Sequence, residues 1–180
     1  AHVTSSVATS YDIQVLHPVA AFHVLGQRKS AQNQNKLCDY GGLGNPLTAT
    51  NAEPNGVCRV PWIKSLGMTF NGKDRFPQQG PEMYLQVENA KHAEQMPDYE
   101  HGLEIYSMHF CLGNPFAPQA SGSCNPARIE FKKITFTPHP SLFQDNRFSN
   151  GLDHSSCVAG AADYVMPYVL DIHYNVGLVQ

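Results

Sequence analysis

Apolar and polar positions alternate along several stretches of the chain, most regularly over residues 102–111, GLEIYSMHFC. A period of two places successive side chains on opposite faces of a strand, so this stretch is predicted to be extended. Residues 11–25 alternate less strictly and are interrupted by Pro18, which has no amide to offer a central ladder and so marks an edge or a break. Over residues 59–70, Trp62, Lys64, Leu66, Met68 and Phe70 fall on one face, and Ile63, Ser65, Gly67 and Thr69 on the other. Asn71-Gly72 follows, a pair suited to the positive φ angles of a tight hairpin turn. Residues 127–137 alternate again, but the phase reverses at Lys132-Lys133, which predicts a β-bulge. The last strand is predicted over 164–176. Tyr168, Leu170, Ile172, Tyr174 and Val176 form its apolar face, opposite Val169, Asp171, His173 and Asn175.

One segment has a different period. Between Pro81 and Gln95, Met83, Val87 and Ala90 recur at i, i+4 and i+7, the spacing of one helical face. Pro81 and Glu82 suit a helix start, and Pro97 ends the run. The remaining tracts are rich in Gly, Pro, Asn and Ser and read as loops. The expected fold is therefore mostly β: an antiparallel β-sandwich or barrel, jelly-roll-like, with long loops and one short helix near 81–95. Residues 1–10 show no clear face and read as an N-terminal arm, and 11–180 as a single β domain.

Composition narrows the function classes. The 180 residues are 42% hydrophobic, enough for a buried core, but only 15% are charged against about 25% in an average domain. The net charge is −3 and no Lys/Arg cluster exceeds a pair, so nothing supplies the phosphate-neutralising surface that nucleic-acid binding needs. No apolar run reaches the roughly 20 residues of a membrane span. A polar but weakly charged surface offers little like-charge repulsion to oppose self-association.

Five cysteines occur without a CxxC pair, which argues against a zinc ribbon or a dithiol redox site. Cys38 and Cys58 bracket one irregular loop, and Cys111 and Cys124 another. A disulfide closing either loop would contribute about 3 kcal/mol, so both local pairings are expected, with Cys157 left over. This pattern points to an extracellular location or to a virion or cell surface.

Candidate chemistry is sparse. Metal ligands on a strand commonly sit at i and i+2, where side chains share a face. Asp171 and His173 have that spacing, as do His109 and Cys111. If the two strands pair, His109, Asp171 and His173 would converge on one transition-metal ion, zinc or copper, with His101 or Glu104 completing the shell. Trp62 and Tyr106 are candidate platforms for a sugar ring. No G-x-S-x-G elbow is present, and Asp153-His154-Ser155 places triad residue types in a row that a triad does not require. Glu100 and Glu104 carry no sign of a catalytic carboxylate pair. The glycine-rich run 41–46 matches neither a dinucleotide fingerprint nor a P-loop.

Two readings follow. In the first, the chain is a non-catalytic β domain without a cofactor that self-assembles into a surface filament, coat or tube, its arm completing a neighbour's sheet. In the second, it is a secreted β-sandwich with the His/Asp metal site or a carbohydrate site, and possesses metal-dependent activity.

Overall fold

Two antiparallel sheets packed face to face make up the molecule, as seen in a computed structural model that describes residues 6–28, 32, 35, 40, 61–92, 103–117, 120–139 and 165–173. The strands are β1 (Thr9–Asp12), β2 (Val19–Arg28), β3 (Ile63–Phe70), β4 (Lys73–Gln79), β5 (Tyr106–His109), β6 (Lys132–Pro138) and β7 (Val165–His173). One sheet has the order β1-β6-β3-β4 and the other β5-β2-β7. Between β4 and β5 a π-helical turn, Met83–Val87, runs directly into an α-helix, α1 (Glu88–His92). A 3-10 turn, Pro126–Arg128, precedes β6. Among the described residues no helix is long and apolar enough to cross a membrane.

The core is made by the facing sides of the sheets. Phe22 and Val24 of β2 and Tyr106 and Met108 of β5 meet Leu66 and Met68 of β3 and Ile134 and Phe136 of β6. Trp62, fully buried at the entrance to β3, links the layers: its ring stands edge-on to Tyr106 at 5.9 Å and to Phe136 at 5.3 Å. Phe110 closes one end, against Phe22 at 6.0 Å and Phe76 at 5.3 Å, with the Arg75 guanidinium 5.5 Å from its ring centre. Burial of apolar area at about 25 cal/mol per Å² is the dominant force holding such layers together.

Several expectations are corrected in detail. Lys64 was placed with Leu66 and Met68, but it is exposed while Ile63 is fully buried, because a register irregularity between Ile63 and Ser65 turns the chain over. No bulge lies at Lys132-Lys133: β6 begins there and runs in register with β3 from Lys132 to Thr137. The phase change in sequence is the boundary between the turn and the strand, and Lys132 Nζ closes that turn by donating to the carbonyls of Pro126 and Ile129. Strand β4, polar and containing Pro77, has no alternating pattern, and the hairpin alone places it beside β3. Asn71 and Gly72, with φ of 49° and 77°, make the turn of that hairpin. Thr9 and Ser10, read as part of the arm, belong to β1 and pair with β6 of the same chain.

The cysteine expectation also changes. Cys111 and Cys124 are free thiols and form no disulfide. The Cys111 thiol turns into its own loop and donates to the Gly113 carbonyl at 3.0 Å, while the Cys124 backbone is engaged by Val19 in a two-way bridge of 2.8 and 2.9 Å. Cys38, Cys58, Cys157, His101, Glu100, the run 41–46 and the triad-like run 153–155 lie outside the described residues.

Candidate functional site: a buried Glu-His-His cluster beside the sheet

The densest group of chemically capable side chains lies where α1 meets β5. Glu88 and His92 are four residues apart in α1, so they share a face of the helix. The helix is fixed against the strand by the buried Asn89, whose Nδ2 donates at 2.8 Å to both the Leu85 and the Ile105 carbonyls. Because Ile105 directly precedes β5, this bond sets the helix face opposite His109. The Glu88 amide donates to the carbonyl of Met83, five residues back, which closes the π-helical turn immediately before the cluster. Turns of this kind recur at functional sites.

Glu88 Oε2 lies 3.6 Å from His109 Nδ1 and 3.8 Å from His92 Nε2. The two imidazoles stack at 4.2 Å with 22° between their planes. His92 Nδ1 is 3.2 Å from the Gly113 carbonyl, which accepts only, so Nδ1 donates there and Nε2 is the nitrogen that faces Glu88. His109 Nδ1 is buried and has no hydrogen-bond partner. Burial, with His92 and His23 nearby, holds His109 down at about 3, so at neutral pH the ring is neutral and its approach to Glu88 is not an ion pair. His23, also lowered by burial, stands edge-on to His109 at 5.8 Å and shares a 2.8 Å hydrogen bond with Ser107 Oγ.

Of the expected metal ligands whose side chains are among the described residues, the structure brings only His109 to this cluster. Strands β5 and β7 do not pair; they flank β2 on opposite sides. His109 is opposite Ala21 of β2, whereas Asp171 is opposite Phe22, so the two carboxylate and imidazole positions fall on opposite faces of the sheet. His173 stands opposite Val19 in the register, and its side chain lies outside the described residues. Glu104 is in the core, accepting from the Trp62 amide and the Tyr106 hydroxyl. Trp62 and Tyr106, expected as sugar platforms, are both fully buried against each other and offer no face to a ligand. The i, i+2 spacing of strand ligands does not reveal Glu88 and His92; the signal that does is Glu-x-x-x-His within the helical segment.

A second feature lies at the other edge of the same sheet. On β7, Tyr168, Val169 and Leu170 are 41%, 36% and 55% exposed in succession. The face expected to supply core is therefore open to solvent at Tyr168 and Leu170.

The fold has well-defined counterparts among solved structures. A chain of the PBCV-1 virus capsid matches with a TM-score of 0.59 and 17% sequence identity, over 95% of this chain and 45% of that one. The Faustovirus major capsid protein matches with a TM-score of 0.58 and 11% identity, over 97% of this chain and 32% of that one. This chain thus spans less than half the length of the capsid proteins it resembles. These likenesses identify the architecture as that of viral capsid jelly rolls, in agreement with the sandwich expected from the alternation. No curated protein sequence matches. The sequence pattern of the family described as large eukaryotic DNA virus major capsid protein matches residues 1–176, and the chain belongs to that family.

Proposed function

We propose that the chain is a jelly-roll portion of a coat subunit that associates with further copies and forms part of a virion shell, with a structural and not a catalytic role. The observation that carries this reading is the family match over nearly the whole chain. The physical features agree with it. The surface is weakly charged, with 15% of residues Asp, Glu, Lys or Arg. Strand β7, last in its sheet among the described residues, offers three consecutive exposed apolar side chains, Tyr168, Val169 and Leu170. Coat subunits must bury such surface against neighbours, since an interface core is depleted of charge and enriched in aromatic and aliphatic groups.

Light scattering coupled to size exclusion tests the reading. The chain is expected to run as a multimer at micromolar concentration, and the double substitution Tyr168→Glu with Leu170→Glu to shift it toward monomer without loss of its β signal in circular dichroism. A wild-type chain that remains monomeric at the highest attainable concentration overturns the reading.

A further inference from the structure

We propose that Glu88, His92 and His109 form a binding site for one divalent transition-metal ion of the zinc class, which ties α1 to β5. Nothing in the coat role calls for such a site, and the inference stands independently of it.

The donor set is the first argument. Two imidazole nitrogens and one carboxylate oxygen suit zinc, and a set of this composition is a recurrent one for that ion. Among the described residues this is the group whose ligand atoms all lie within 4.8 Å of one another. Tetrahedral zinc with bonds of about 2.0–2.1 Å separates its ligand atoms by roughly 3.3 Å. The observed 3.6 and 3.8 Å from Glu88 Oε2 to the two nitrogens are near enough to close on an ion once the two rings, now stacked at 4.2 Å, turn their nitrogens toward it.

The second argument is what these atoms lack as hydrogen-bonding partners. At 3.6 and 3.8 Å the contacts are too long for hydrogen bonds. His92 donates from Nδ1 to Gly113, which leaves Nε2 as the nitrogen that faces the carboxylate. The same Gly113 bond is the outer contact that commonly orients a metal-bound imidazole and fixes its tautomer. His109 Nδ1 is enclosed, its side chain only 2% exposed, and it has no hydrogen-bond partner. An unpaired buried ring nitrogen is costly, and coordination satisfies it. Lys91 is the cation nearest the carboxylate, 3.7 Å from Oε1 on the other side, but its side chain is 57% exposed and it leaves Oε2 to the imidazoles.

Three protein ligands leave a fourth position on the ion for water, inside an enclosed site. All three side chains are nearly enclosed, at 10%, 11% and 2% exposure. The ligands come from two elements otherwise joined chiefly by the Asn89 hydrogen bond and apolar packing. An ion that binds only the folded chain stabilises it by mass action.

The experiment uses the full chain, stripped with a chelator and re-dialysed against zinc. About one zinc per chain is expected by elemental analysis. Glu88→Gln combined with His92→Ala should reduce uptake at least tenfold, and Lys91→Ala on the same turn should leave it unchanged. Melting followed without substitution provides the second readout: at a hundredfold excess over Kd, zinc should raise Tm by about 5–10 °C. Cobalt bound in place of zinc should give the strong visible absorption of a tetrahedral site. Wild-type protein that takes up no stoichiometric zinc and melts identically with and without it overturns the proposal, as does full uptake by the double variant.

Discussion

Glu104 and Tyr106, two positions apart on the approach to β5, are joined side chain to side chain within the core: the Tyr106 hydroxyl donates to Glu104 Oε2 at 2.9 Å. The same oxygen accepts the Trp62 amide at 3.2 Å, so one carboxylate links the start of β3 in one sheet to β5 in the other. Glu104 is 1% exposed. A carboxylate withdrawn from water is tolerated only where its lone pairs are occupied. Tyr106→Phe removes the hydroxyl donor and is expected to cost about 1.5–3 kcal/mol, the range for hydrogen bonds to charged groups. Equilibrium urea unfolding measures it, and an unchanged midpoint would show the bond to be energetically neutral.

The same tyrosine and Tyr84 make the fold sensitive to alkali. Burial, followed by Glu104, pushes Tyr106 well above its ordinary 10.0. Burial, followed by Glu88, pushes Tyr84 up to about 12, and its hydroxyl donates to the Pro77 carbonyl at 2.6 Å. Both groups hold their protons more tightly folded than unfolded. Their contribution is therefore complete below pH 10 and is lost as pH rises from 10 through about 12. Unfolding midpoints should fall across that window, and Tyr84→Phe should make the fall shallower. A midpoint that is flat to pH 12 would contradict the assignment.

Gly67 is required by the close approach of β4. A methyl group at this position would lie 3.0 Å from Gln78 Cα and N and 3.2 Å from the Phe76 carbonyl oxygen, all backbone atoms that cannot rotate aside. The register between β3 and β4 is irregular at this point, between Leu66 and Met68. Gly67→Ala is expected to destabilise by about 1–3 kcal/mol, as overpacking does, and Gly67→Val by more. Thermal melts of the two variants rank them, and a stabilised alanine variant would show that β4 can retreat.

Peptide mapping after alkylation without reductant should recover Cys111 and Cys124 as free thiols. Burial raises both thiols above their ordinary value, so native-state labelling should be slow and should accelerate on denaturation, because the thiolate is the reacting form. Recovery of a 111–124 crosslinked peptide from carefully quenched protein would reverse this assignment.

Local pattern was enough for much of the architecture. Alternation located the cores of β2, β3, β6 and β7, the Pro81 start and the i, i+4 stripe located the helical segment, and Asn71-Gly72 located the hairpin turn. These signals are local because side-chain direction repeats every two residues in a strand and every three to four in a helix. Strand β4 was not legible, since its polar residues are held by pairing to β3 and not by a buried face of their own.

What the sequence by itself determined was a mostly β, weakly charged domain, because composition and periodicity are properties of single residues and their near neighbours. Only the tertiary structure decided which histidine met which carboxylate. Two strands predicted to share a metal were separated by β2, and a one-residue difference in register put Asp171 on the face away from His109. A helix anchored by Asn89 brought Glu88 and His92 to His109 instead. Strand order and helix docking depend on contacts between residues distant in the chain, and a period of two carries no information about which strand lies next to which.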